Sequence, residues 1–177
     1  MSTPFEELMW LFSSSPASRG IVRLNLAEAA LLYKYAKKKK EGRLLEIGRK
    51  HGGSAVLMAS ALTLGKVYSI DIRNYPEVKE NIVGLEHKIH ILTGDSRKVE
   101  WSMPIDLLFL DGNHSYEYVT SDVKKYVPLI RPDGYFIMHD VVGVKPELKP
   151  IIKKLKKGQF EEVDRADTML VLQKTGE

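Results

Sequence analysis

No cysteine occurs among the 177 residues, which excludes disulfide frameworks, cysteine-ligated zinc sites and thiol nucleophiles together. Aromatic residues make up only 8% of the chain, and no apolar run is long enough to cross a bilayer, so a membrane-embedded fold is not expected. The first ten residues carry Glu6 and Glu7 and lack the apolar core of a signal peptide, which makes a cytoplasmic location the default expectation. Internal repeats, low-complexity tracts and long linkers are missing as well. At this length one domain over 1–177 is expected, with N-terminal helices over 1–42 and a core over 43–177.

Net charge is small: 27 Lys and Arg against 23 Asp and Glu leave +4, with a pI near 9.1. An anionic partner such as RNA would use a basic excess. The lysines, however, cluster at Lys37 to Lys40 and at Lys153, Lys154, Lys156 and Lys157, close to the C-terminal ends of predicted helices. Cations there complement the helix dipole, and a solvated surface accounts for them.

What is present is a regular alternation of elements. Thr3-Pro4-Phe5-Glu6 has the form of a capping box with proline at the first helical position and predicts a short helix to Phe12, ended by Ser13 to Pro16. Asn25, with Glu28 three residues on, predicts a second start, and the stripe of Leu26, Ala30 and Tyr33 carries that helix towards Gly42. Short apolar runs follow at 44–47, 67–70, 89–92, 105–110 and 135–138. They are apolar at nearly every position, as strands covered on both faces are. Between them, 54–64 predicts a crossover helix, and Tyr116, Val119, Val123, Val127 and Ile130 recur at helical spacing behind a cap at Ser115. Pro132-Asp133-Gly134 turns the chain into the next strand, 148–157 predicts a last helix, and 160–164 with 169–173 predict an antiparallel hairpin. The expected class is α/β, a doubly wound, Rossmann-like, mostly parallel sheet of seven strands ending in that hairpin.

The stretch LLEIGRKHGGSAVL at 44–57 reads as an apolar strand, a glycine-bearing loop and a helix opened by Ser54. Ligands of open parallel sheets bind beyond the carboxyl ends of the strands, where this loop lies. A dinucleotide loop wants G-x-G-x-x-G, but its second glycine position is Lys50; a phosphate-cradling loop wants lysine after Gly53, and Ser54 stands there. Both phosphate readings fail at a residue their chemistry needs. S-adenosylmethionine carries no phosphate and asks instead for acceptors to an ammonium and a ribose diol. Glu46 and Asp71, at the ends of the first two strands, supply them, because a carboxylate can accept both hydrogen bonds of a diol. The plainer alternative is that Glu46 pairs with a lysine and the glycines only permit a turn.

Together with YSID at 68–71, TGDS at 93–96 and DLLFLDGNHSY at 106–116, the pattern EIGRKHGGS at 46–54 resembles the class I methyltransferases, most closely their small-molecule O-methyltransferase branch of catechol and macrolide type. The resemblance implies S-adenosylmethionine as cofactor, with Glu46, Gly48, Gly52 and Ser54 along its methionine side. Asp71 would hold the ribose, Asp95 and Ser96 would lie beside the adenine, and Asp111 would complete the set.

Asp111, His114, His139 and Asp140 are expected to converge on one edge of the sheet. Within the resemblance, Asp111, Asp140 and His139 would hold a divalent cation, magnesium or another. The chain departs from the catechol-type pattern there, because an Asp-Asn pair is replaced by Asp140-Val141, and His139 would fill the missing place. His114 is the expected proton acceptor of a small-molecule hydroxyl, with Asp111 and His139 completing the catalytic group. The bland alternatives are a loop histidine, a histidine bonded to Asp111 or substrate, and a turn-capping acid.

RNA methylation is a weaker expectation, since the loop after the fourth strand reads Asp-Gly-Asn-His where exocyclic-amine enzymes carry an Asn-Pro-Pro-Tyr-like motif. Methylation at carbon 5 of cytosine is excluded by the missing cysteine. A non-catalytic cofactor-binding or assembly module is the alternative of another class. His51, His87 and His90 are read as surface or packing residues, and Arg73 as lying over the adenine or in solvent. Trp10, Phe12, Tyr33 and Tyr35 either roof a substrate pocket or pack on the sheet or on a second subunit of a homodimer.

Overall fold

Asn25 begins the first helix by a reciprocal exchange: its Oδ1 accepts from the Glu28 amide at 2.9 Å, and the Glu28 carboxylate accepts from the Asn25 amide at 3.1 Å. Two of the donors that a helix start leaves open are thereby satisfied. The helix, α1, runs over Leu26–Lys38 and stops short of Gly42. In this computed structural model the described residues are 3–5, 7–8 and 20–176. The expected helix to Phe12, its stop at Ser13 to Pro16, and Trp10 thus lie largely or wholly outside them.

Seven strands follow: β1 (Arg43–Ile47), β2 (Lys66–Asp71), β3 (Ile89–Thr93), β4 (Ile105–Leu110), β5 (Ile130–Met138), β6 (Phe160–Ala166) and β7 (Met169–Lys174). They form one sheet in the order β3-β2-β1-β4-β5-β7-β6. The five from β1 to β5 pair in parallel, and β7 pairs antiparallel with both β5 and β6. The doubly wound seven-stranded sheet with its C-terminal hairpin is therefore the observed architecture.

Strand period divides the core in two. Leu44, Leu107, Phe109, Ile137 and Val171 pack with α1, α2 (Gly53–Ala61) and α3 (Val78–Asn81), while Leu45, Ile47, Leu108, Leu110 and Phe136 pack with α4 (Tyr116–Tyr126) and α5 (Lys149–Lys157). All nine residues of α2 are buried, which explains why that segment reads as apolar on every side. Because α2 and α4 leave β1 and β4 towards opposite faces, the carboxyl ends of these neighbouring strands open a crevice. None of the described helices is long and apolar enough to cross a membrane.

Several boundaries differ from expectation, among them these with a local reason. Helix α2 starts at Gly53 rather than Ser54, because Gly52, at φ 86°, is its N-cap. Helix α4 ends at Tyr126 instead of reaching Ile130, since Pro128 forces a short 3-10 turn over Val127–Leu129. Ser115 is its N-cap but makes no side-chain cap bond; its amide donates to Asn113 Oδ1 at 2.9 Å. The Pro132-Asp133-Gly134 turn lies inside β5 as an irregularity, where the register jumps from Ile105 opposite Ile130 to Leu107 opposite Tyr135.

Candidate active site

The end of β1 is shaped by a close approach of backbones. Gly48, at φ 98°, donates its amide to the Ile70 carbonyl at 2.9 Å, and a Cβ there would run into the carbonyl of Asp111. No side chain fits where the cofactor loop and the end of β4 touch. Gly53 is held in the same way by the carbonyl of Ile21, so the segment before α1 crosses the start of α2. These walls bound a cleft of about 480 Å³.

Six of the expected cofactor residues line that cleft: Gly48, Ser54, Asp71, Asp95, Ser96 and Asp111. Glu46 and Gly52 do not. Glu46 is wholly buried on the sheet face covered by α2, where the hydroxyls of Ser54 and of its register partner Ser69 both donate to its carboxylate. Burial pushes its pKa up to about 7, against the two hydroxyls and the nearby Arg49. The acid expected to meet an ammonium in the cleft therefore anchors Ser54 from behind. Gly52 supplies the left-handed turn into α2.

Asp71 Oδ2 accepts from the Lys50 amide and Oδ1 from the Arg73 amide, both at 2.8 Å, which aims the carboxylate into the cleft and leaves further lone pairs for a ligand. Lys50 reaches this bond in the left-handed region, at φ 48°. Asp95 is gripped by Arg97, with Nη2 at 2.6 Å and Nε at 2.9 Å, and these bonds hold its pKa down at about 2. The Arg97 guanidinium also lies 3.9 Å from the ring centre of Tyr118, a cleft residue that its helical spacing does not single out. Ser96 turns its hydroxyl away, donating to Asp122 at 2.7 Å.

Arg49 is the largest departure from what its neighbourhood in the sequence suggests. In a glycine-rich loop an arginine reads as a solvated side chain, yet this one is 2% exposed. Its guanidinium donates to the carbonyls of Ser69 at 2.8 Å, Arg73 at 3.0 Å and Leu92 at 3.2 Å, tying together the ends of β2 and β3.

The second constellation does assemble. Asp111 Oδ1 lies 2.9 Å from His139 Nδ1 and 3.5 Å from His114 Nε2. Asp140, at φ 55°, stands at the rim, with Oδ1 3.6 Å from His139 Nδ1 and Oδ2 3.8 Å from His114 Nδ1. Burial works to lower the His139 pKa, but the carboxylates of Asp111, Asp140 and Glu28 prevail and hold it up at about 9. For Asp111 burial works upwards, and the two imidazoles reverse it to below the ordinary carboxylate range. Asp111, His139 and Asp140 line the cleft, whereas His114 does not. Among the described residues, Asp111, His114 and His139 bring one ligand atom each within 4.8 Å of one another, a grouping that includes His114 and not the expected Asp140.

Two contributors come from unexpected places. Glu28, 3% exposed, sets its Oε2 3.3 Å from His139 Nε2, although the sequence marks it only as a capping acid. Thr168, in the hairpin turn, places its hydroxyl 2.7 Å from Glu28 Oε1 and 3.2 Å from Asp140 Oδ1. Tyr33 and Tyr35, both on α1, are buried and do not line the cleft; Tyr35 meets Tyr135 of β5 edge-on and donates to Asp164 at 3.1 Å. His51 pairs with Glu77 at 2.6 Å, His90 stacks on Tyr68, and His87 is exposed. Arg73 contributes its backbone rather than a cleft-lining side chain.

A family model described as a methyltransferase domain matches residues 45–141, more than half of the chain, and the chain belongs to that family. A curated relative, the uncharacterized protein R132 of Acanthamoeba polyphaga mimivirus, is 25% identical over 127 residues, covering 63% of this chain; the chain spans 58% of that relative's length. Among solved structures, the O-methyltransferase NovP shares the fold with a TM-score of 0.74 at 17% identity, over 90% of this chain and 84% of that one. The methyltransferase MycE of the mycinamycin biosynthetic pathway, in complex with Mg and SAH, gives 0.65 at 20% identity, over 90% and 57%. An rRNA methylase from Streptococcus thermophilus gives 0.67 at 12% identity, over 82% and 95%. Enzymes acting on different acceptors thus share this architecture.

Proposed function

We propose that the protein transfers the methyl group of S-adenosylmethionine to a hydroxyl oxygen of a small molecule. The observation that carries this reading is one cleft with two unlike ends: Gly48, Asp71, Asp95 and Ser96 along one part, and Asp111, His139 and Asp140 along the other. Asp71 suits a ribose diol, and the Tyr118 and Ser96 wall suits a flat adenine. The methyltransferase MycE, solved with SAH and Mg, supports the same cofactor class, and the O-methyltransferase NovP supports an oxygen acceptor.

In the reaction the acceptor oxygen attacks the sulfonium methyl carbon, the carbon–sulfur bond breaks with its electron pair passing to sulfur, and S-adenosylhomocysteine is left. The hydroxyl proton passes to the Asp140 carboxylate at the rim, with the His114 imidazole behind it at 3.8 Å to share the charge. Such assistance contributes roughly 10² to 10⁴ in rate, and alignment of oxygen, carbon and sulfur supplies much of the remainder. A divalent cation held by Asp111 and the neighbouring histidines would lower the pKa of a coordinated hydroxyl; the buried and unbonded nitrogens of His114 and His139 fit such an ion.

An RNA acceptor would draw on the lysine clusters, but the loop after β4 reads Asp111-Gly112-Asn113-His114 in place of an Asn-Pro-Pro-Tyr-like motif that would hold an unstacked base. The test is calorimetric titration with S-adenosylmethionine, with chelator and with added divalent metal, followed by turnover on a panel of hydroxylated small molecules. Saturable 1:1 cofactor binding and methylated product are expected. No cofactor binding under either condition removes the reading, and binding without transfer to any acceptor leaves a cofactor-binding module.

A further inference from the structure

We infer that Asp111, His114 and His139 form a site for a first-row transition metal ion, a divalent ion of the iron, cobalt or zinc type, that discriminates against magnesium. The inference deepens the functional reading of this edge and rests on it for the purpose of the ion, although ion binding can be measured without it.

The first argument is spacing. Metal–nitrogen and metal–oxygen bonds of about 2.1 Å at octahedral or tetrahedral angles put neighbouring ligand atoms about 3.0 to 3.4 Å apart. Asp111 Oδ1 stands 2.9 Å from His139 Nδ1 and 3.5 Å from His114 Nε2, and all three ligand atoms lie within 4.8 Å of one another.

The second argument is that the two nitrogens need a partner. His114 Nε2 and His139 Nδ1 are buried without a well-formed hydrogen bond, and the group nearest both is a single carboxylate oxygen, Asp111 Oδ1, at 3.5 and 2.9 Å. Buried polar atoms left unpaired are costly and uncommon. A lone pair directed at a cation removes the anomaly at both atoms together.

The third argument concerns the far side of each ring. His139 Nε2 faces Glu28 Oε2 at 3.3 Å, and His114 Nδ1 faces Asp140 Oδ2 at 3.8 Å. The Glu28 carboxylate behind His139 draws that ring's proton to the outer nitrogen and leaves the inner one as an acceptor, the arrangement by which ligating histidines are fixed and made more basic, while the Asp140 charge favours the same orientation of His114 from a greater distance. Glu28 is itself held by the Asn25 amide and by the Thr168 hydroxyl.

Donor type then selects the ion. Magnesium prefers oxygen ligands and several retained waters, whereas imidazole suits zinc, iron, nickel and copper, and two imidazoles with one carboxylate on one side of an ion leave its other positions open. Asp111 and His139 both line the cleft, so an ion held between them would lie at its wall.

The test uses the full chain stripped with chelator and titrated with Co²⁺, read by visible ligand-field absorption. One equivalent is expected to bind, to be displaced by equimolar Zn²⁺, and to survive a large excess of Mg²⁺. His114→Ala and His114→Gln, each checked for folding by circular dichroism and thermal unfolding, should lose the absorption band. Glu28→Gln retains a capping side chain and should weaken Co²⁺ binding about tenfold or more. Displacement of Co²⁺ by comparable Mg²⁺, or an unchanged spectrum and affinity in folded His114 variants, overturns the inference. Cofactor binding without cobalt binding would defeat the metal site alone, and cobalt binding without cofactor binding would defeat only the methyl-transfer reading.

Discussion

Glu46 carries a pH dependence that can be followed from one carboxyl. Its folded pKa of about 7 lies above its ordinary value of 4.5, so the folded protein keeps this proton over a range in which the unfolded chain has released it. Its contribution is fully present below pH 4.5 and is lost as pH rises to about 7, with a total on the order of 3 kcal/mol. Denaturant midpoints measured between pH 4.5 and 8 should show this decline. Glu46→Gln should flatten it, since an amide can still accept from one serine and donate to the other. An equal decline in the variant would mean that other groups are responsible.

Asp71 offers a separate test at the same scale. Asp71→Ala removes the acceptor assigned to the ribose and frees the Lys50 and Arg73 amides, so calorimetry should find cofactor affinity lower by about 10- to 100-fold, the range for hydrogen bonds to a charged group. The position of each acid at a strand end was legible from chain order. Which way it pointed was not: Glu46 and Asp71 close neighbouring strands, yet one turns under α2 and the other into the cleft. Arg49 was illegible for a related reason, because its partners are carbonyls, which carry no residue identity.

Among the elements, the contact of the β1 loop with the end of β4 is the least tolerant. Gly48→Ala meets both a left-handed φ of 98° and the Asp111 carbonyl, and should lower stability by about 2 kcal/mol or more in denaturant unfolding while loosening cofactor binding. The parallel strands could be anticipated because their runs are apolar at nearly every position, and the hairpin because a short polar connection separates its two runs. The ends of α4 and β5 could not, since Pro128 and the β5 irregularity act through backbone geometry. At the junction of α1, β5 and the hairpin, Thr168→Val removes a donor shared by two carboxylates. A loss of about 1 to 3 kcal/mol is expected, measurable as a shift in the urea midpoint.

Taken as a whole, the molecule gathers its cleft from segments before α1, after β1, β2 and β3, and around β4 and β5. Ligand binding should therefore stabilise the folded state globally. Cofactor at about 100 times its Kd adds roughly 2.7 kcal/mol, which for a chain of this size corresponds to about 5 to 10 °C in Tm by thermal scanning. No shift at saturation would contradict the assignment of the cleft.

Glu28 serves two masters, one of them 111 residues further along the chain, since the carboxylate that closes the start of α1 also stands behind His139. The three-residue interval from Asn25 to Glu28 therefore acts as a ruler for both. Inserting one residue into it would leave a helix that could find another cap, but would rotate the acid away from the histidine. In the divergence of such chains, this first helical turn should vary only in step with the distant Asp111–His139 edge, as a pair of positions inherited together.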